Sequence, residues 1–177
     1  QLARRVMTKA GAAFAVSGET FAYGGSKAET KGWYFDFVQS GKTGERSVTP
    51  SLLSNGKLFF NSLIPGSDPC DPGGGRSYML DVLTGLPPGG ATTGNLSAVG
   101  MMSSPMVVET ASAFSQRNAI GRRTVRKTQS VVNFGTGGVK GATVGVEKEK
   151  IESAVPAGRF SWRELVNWQE LRNALAK

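Results

Sequence analysis

Three stretches of this chain carry side chains of a kind that does chemistry. Asp68 and Asp71 flank Cys70 in a Gly/Pro-rich run, and loop carboxylates of this sort ligate calcium when further oxygen ligands follow. Arg117, Arg122, Arg123, Arg126 and Lys127 crowd one segment with no acid among them, a pattern suited to an anionic partner. Gly73-Gly74-Gly75 and Gly135-Thr136-Gly137-Gly138 raise the question of phosphate loops.

Each of these has a plainer reading. No D-x-D-x-D-G series with a closing Glu surrounds Asp68 and Asp71, so they read as a surface loop and no metal ligand is assigned. Gly73 to Gly75 lacks the Lys-Ser/Thr of a P-loop, and Gly135 to Gly138 lies between strands, so both read as turns. No aromatics interleave the basic cluster as they do in single-strand nucleic-acid platforms. It reads as a solvated loop, or as a grip for an anionic partner such as lipopolysaccharide or another subunit, with nucleic acid not expected.

Catalytic constellations are scarce. The chain has no histidine, which removes the imidazole base, the Ser/His/Asp and Cys/His arrangements and the histidine metal sites. Its single cysteine makes no thiolate zinc cluster, and is either a free thiol or half of a disulfide with a partner outside this chain. The expectation is a protein that is not an enzyme and holds no cofactor in this segment.

The elements that position these residues read as all-β. With 24 glycines, 8 prolines and 39% apolar residues over 177 positions, turns outnumber long helices. Net charge is +8, and the last 77 residues carry twelve Lys/Arg against six acids. No apolar run nears the roughly 20 residues a membrane-spanning helix needs. The chain starts at Gln1 with no signal-peptide pattern and reads as a segment of something longer.

Residues 44–85 form the centre. Ser47 to Leu53 and Lys57 to Ile64 are apolar runs around Asn55-Gly56, a tight-hairpin dipeptide. Ser77 to Leu83 follows as a third strand and stops at Thr84-Gly85. Upstream, Arg4 to Thr20 reads as one or two strands or an irregular lead-in. Lys31 to Val38 is a strand with Trp33, Phe35 and Phe37 on one face, expected to pair with Ser47 to Leu53 and complete a four-stranded blade.

Downstream, Leu86 to Leu96 reads as a linker and Thr110 to Arg123 as a loop. "T-P-S-L-L" and "S-S-P-M-V-V" look like one strand position in successive blades. Val125 to Phe134 and Val139 to Val146 are expected as a second hairpin, with Lys148 to Pro156 a charged connector. Ser161 to Lys177 predicts an amphipathic helix: Ser161 and Glu164 have capping-box spacing, and Leu165, Trp168, Leu171 and Leu175 share a side. Trp168 is a candidate partner contact on that helix.

In order, KGWYFDF at 31, GERSVTPSLLSNGKLFFNSLIPGSDPCDPGGGRSYMLDVLTG at 44 and AGRFSWREL at 157 resemble the C-terminal β-propeller region of the type IV pilus tip-associated adhesins, the PilY/PilC family. The resemblance covers most of residues 31–110 and again 157–165, and its most specific parts are "KGWY" followed by "GER", the "IP…DPC…GG" loop and "SWREL".

It implies a secreted protein at the pilus tip or outer envelope, acting in pilus assembly, retraction control, adhesion and twitching motility through minor pilins and a host or other surface receptor. Calcium, in that family, belongs to an earlier blade, and no ligand for it is carried over. On this reading residues 1–30 are a lead-in, 31–156 the last blades of a modified propeller and 157–177 a terminal strand and helix. The basic loop at 117–127 and the helix beyond residue 165 do not map onto that family, and the candidate contact residues Arg117, Arg122, Arg123, Arg126, Lys127 and Trp168 rest on charge and helix pattern alone. Competing readings are a quinoprotein propeller of the pyrroloquinoline-quinone type, from the "L-D-x-x-T-G" turn, and a phage or envelope structural protein.

Overall fold

The computed structural model describes residues 2–19, 31–37, 41, 43–68, 70–71, 73–114, 123–136 and 145–157. In chain order the strands are β1 (Ala3–Arg4), β2 (Val6–Ala10), β3 (Ala13–Ser17), β4 (Trp33–Tyr34), β5 (Leu52–Ser54), β6 (Lys57–Ile64), β7 (Gly74–Asp81), β8 (Asn95–Leu96), β9 (Met106–Phe114), β10 (Arg123–Gly135) and β11 (Gly145–Ala157). One short 3-10 turn, Pro88–Gly90, is the sole helical element among the described residues. The described chain is thus nearly all β, and its pairings are antiparallel apart from the two-residue β1–β4 contact.

The central sheet runs β5-β6-β7-β8. Asn55 and Gly56 adopt φ of 49° and 74°, the left-handed pair that turns β5 into β6 in the hand of the sheet's own twist. Alternation along β6 and β7 then sends Phe60, Tyr78 and Leu80 to one face and Phe59 and Met79 to the other. Both faces are therefore apolar and both are covered.

The first face receives the β2–β3 hairpin through Met7 and Phe14, together with Trp33, Phe35 and Phe37. Phe60 and Tyr78 stack at 4.9 Å, Phe35 lies 6.1 Å from Phe60, and Phe37 meets the Tyr78 ring edge-on at 5.7 Å. Such pairs add about 0.5–1.5 kcal/mol each beyond the area they bury. Arg5, buried beneath this layer, donates from Nε to the Thr84 carbonyl at 2.7 Å and from its guanidinium to the Glu19 carbonyl at 2.7 Å.

The second face packs on a three-stranded sheet of order β11-β10-β9. Phe59, Val131 and Ile151 form the shared core, with Leu52, Met79 and Val107 against it. Across the same interface Asn61 donates to the Asn133 side-chain oxygen at 2.9 Å and to the Ser103 carbonyl at 2.6 Å. Both asparagines are buried, so the pair satisfies polar groups that would each cost about 1–3 kcal/mol unbonded.

Several expectations need correction. Trp33–Tyr34 pairs in parallel with Ala3–Arg4, so the fourth strand of the central sheet is Asn95–Leu96, from the stretch read as a linker. Of the strand expected over Lys31–Val38 only Trp33–Tyr34 forms among the described residues; Trp33, Phe35 and Phe37 nonetheless pack on one core, but a shared side does not name a partner strand. Met106–Phe114 and Arg123–Gly135 are strands, so both ends of the stretch read as a loop over 110–123 are strand, and 115–122 lie outside the described residues. The partner of β10 is Gly145–Ala157, so the charged "connector" is a 13-residue strand. The helix expected over 161–177 lies outside the described residues, as do Arg117, Arg122 and Trp168.

Proline precedes the first strand of each larger sheet, Pro50 before Leu52–Ser54 and Pro105 before Met106–Phe114. In each, that strand is the outer member of an antiparallel meander, the matching positions that the two proline motifs suggest.

Candidate functional site

Motifs far apart in sequence meet in pairs. Gly85, which ends the "D-V-L-T-G" turn, adopts φ of 66°, and a Cβ there would lie inside the Trp33 indole ring. Trp33 Nε1 in turn donates to the Val82 carbonyl at 2.9 Å. Asp81 Oδ1 holds that turn from within, accepting from the amides of Leu83 at 3.0 Å and Thr84 at 2.8 Å and from the Thr84 hydroxyl at 3.0 Å.

The "GER" segment docks on the other end of β6. Arg46 and Leu63 exchange backbone hydrogen bonds of 3.0 and 2.8 Å, and Gly44 sits against the Pro65 ring of the "IP" motif. Glu45 accepts from the Tyr78 hydroxyl at 2.6 Å and from the Ser62 hydroxyl at 2.5 Å. Burial pushes the Tyr78 phenol well above its ordinary range, and the carboxylate beside it adds to the shift. The phenol thus stays protonated as a donor.

The 65–73 loop is ordered by its own carboxylates. Asp71 accepts from the amides of Gly73 at 2.9 Å and Ser67 at 3.0 Å, and those donors hold its carboxyl below the usual range. Asp68 Oδ1 caps the Cys70 amide at 3.1 Å, and Cys70 itself is exposed. Among the described residues no third carboxylate or thiol joins them, and Asp71's oxygens are both turned to the loop's amides. The pair does not fit the oxygen cage that calcium takes.

Where the two larger sheets meet, a polar cleft of about 280 Å³ opens, lined by Ser77, Asn95, Asn133, Lys148 and Glu149. It offers hydroxyl and amide groups beside the Glu149 carboxylate, which suits recognition of a small polar group by hydrogen bonding. Sequence reading missed this site, and it missed Arg5 and Glu45 as well. The available signal was Asn61, a polar residue in the middle of the apolar KLFFNSLI run.

The basic cluster is only partly in view. Arg123 begins β10, Arg126 is exposed, and Lys127 bonds Glu109 of β9 at 2.9 Å. An acid absent from the cluster in sequence is thus supplied across the sheet.

Comparison with known proteins bears on this arrangement. Part of the chain is similar to a type IV pilus protein. Over 58 residues, 30% of this chain, it is 43% identical to the "Type IV pilus biogenesis factor PilY1 homolog" of Xylella fastidiosa. That stretch spans 4% of the relative's own length. No family model matches the chain, and no solved structure matches it. The similarity supports a relation of this stretch to PilY1-type pilus proteins. Among the described residues no helix is long and apolar enough to cross a membrane.

Proposed function

We propose that this chain is part of a type IV pilus tip-associated protein and acts by binding, not catalysis, in pilus assembly, retraction control and adhesion. The observation that carries the reading is the 43% identity to the PilY1 homolog over 58 residues. The "KGWY", "GER", "IP" and "LTG" motifs support it as two packed pairs, "KGWY" on "LTG" and "GER" on "IP", at opposite ends of the central sheet.

In this reading the two packed sheets, with β11 taken up to residue 156, are the last blades of a modified propeller. Residues 1–30 form a lead-in, whose β2–β3 hairpin packs on the first blade through Met7 and Phe14, and 157–177 a terminal segment. Face-to-face packing of antiparallel sheets through Phe59, Val131 and Ile151 is the kind of contact neighbouring blades make. Arg117, Arg122, Arg123, Arg126, Lys127 and Trp168 belong to a surface that meets minor pilins or another receptor, at the pilus tip or outer envelope. No cofactor is assigned to this segment.

Binding is tested by immobilising the 177-residue chain and passing the minor pilins of the same bacterium over it. Retention of a minor pilin, weakened severalfold by Arg126→Glu, is the expected result. No retention of any minor pilin, or retention indifferent to Arg126→Glu and to high salt, overturns this contact surface.

A further inference from the structure

The two larger sheets end in four edge strands, and three of them are protected. β5 and β8 have three and two residues, too short to template a partner. β11 alternates Glu147, Lys148, Glu149 and Lys150, with Glu152 beyond, and an edge carrying that many charges resists pairing.

β9 is neither short nor densely charged, and a bulge at Thr110 divides it into the regular runs Met106–Glu109 and Ala111–Phe114. It is nine residues long, has no proline within it, and its one charge, Glu109, is held by Lys127. Residues from Val108 to Ala113 are all exposed, and among the described residues no strand lies beyond it. Its free edge is a row of backbone donors and acceptors ready for an added strand.

The face beside that edge exposes four apolar side chains among its charged ones. Met106 pairs across from Val132, and Phe134 from Val146. Met106, Val108, Phe134 and Val146 retain 47, 43, 39 and 49% of their accessible surface. The same parity places Arg126, Lys148 and Lys150 on this face, opposite Ala113 or one strand further in.

We infer that β9 is a strand-addition site for a binding partner whose extended segment alternates apolar side chains and carries carboxylates. Backbone bonds along β9 supply the affinity, and Met106 and Val108 meet the partner's apolar side chains. Arg126, on the neighbouring strand, selects for acid, since Lys150 is already paired with Glu152 of the same face at 3.5 Å and Lys148 lies a further strand away. A second copy of this chain is the poorer occupant, since a net charge of +8 would face itself. This inference goes beyond the pilus reading and stands without it.

The test is amide hydrogen exchange of the 177-residue chain with three synthetic octapeptides. One alternates Val with Thr and has two Thr replaced by Glu; the second has Lys at those places; the third has Pro at alternate positions. The Glu peptide is expected to slow exchange across 106–114 about tenfold when present at roughly ten times its Kd, the Lys peptide less and the Pro peptide not at all. Val108→Lys, an exposed change, abolishes the effect, and Arg126→Glu removes the preference for Glu over Lys. Unchanged exchange with every peptide, or equal slowing in Val108→Lys, overturns the site. Slowing that rises with protein concentration and needs no peptide overturns the partner, because the edge then pairs with a second copy.

Discussion

The Trp33 indole covers Gly85 so closely that no larger residue fits beneath it, and its Nε1 binds the Val82 carbonyl of the same turn at 2.9 Å. Residues 49 apart in sequence (Trp33 and Val82) thereby lock the start of the aromatic layer to the end of β7. Gly85→Ala meets both a positive φ of 66° and the ring, so a loss of roughly 2–4 kcal/mol is expected in urea unfolding. Trp33→Ala in the same background should recover part of that loss by removing the clash, and a double mutant that is strictly additive would contradict the contact.

Tyr78 gives a prediction at alkaline pH. Its phenol is raised from the model-compound value of 10.0, chiefly by burial and then by the hydrogen bond to Glu45. Folding therefore favours the protonated form. The associated stability is complete below about pH 10 and is lost as pH rises beyond it, because the unfolded chain ionises first. Tyr78→Phe should cost about 1–2 kcal/mol at neutral pH and flatten the alkaline fall in stability. Chemical denaturation as a function of pH checks both, and an unaltered alkaline slope would refute the assignment.

Asp71 gives the opposite case. The amides of Gly73 and Ser67 lower its carboxyl from 3.8, so folding favours the ionised form. Order in the 65–73 loop is complete above about pH 4 and is lost as pH falls through the lowered value. The amide resonances of Ser67 and Gly73 should titrate together, with a midpoint below that of an exposed aspartate. Asp71→Asn should remove the transition, and a midpoint at the ordinary aspartate value would contradict the geometry.

Asn61 and Asn133 join the two larger sheets, and their coupling is measurable. Each single change to Ala leaves a buried polar partner and should cost about 1–3 kcal/mol. The double change should cost less than the sum by about 1 kcal/mol in a mutant cycle. Zero coupling would mean that the sheets do not meet at this pair.

Much of the central sheet was legible because its signals are local. Asn55-Gly56 names a turn type, the apolar run Lys57–Ile64 names a strand, and a residue pair or a short window decides each. β11 was not legible for a physical reason. Its alternation is of Glu with Lys, and among its side chains described here Ile151 alone is apolar and buried, so the period-two signal carries no hydrophobic contrast. The partner of Trp33–Tyr34 was equally hidden, since it is supplied by Ala3–Arg4 some thirty residues upstream. At the candidate sites, spacing in sequence showed the cations, but only the sheet brings Glu109 to Lys127 and closes Ser77, Asn95 and Asn133 around one cleft.

The central claim is that this segment serves a type IV pilus. The direct measurement is deletion of the full-length gene in its bacterium, with surface pili counted by electron microscopy and twitching scored on agar. The account predicts loss of pili or twitching, restored by the full-length gene and not by one lacking residues 31–157. Unchanged pili and motility after deletion, or full restoration by the truncated gene, would contradict it.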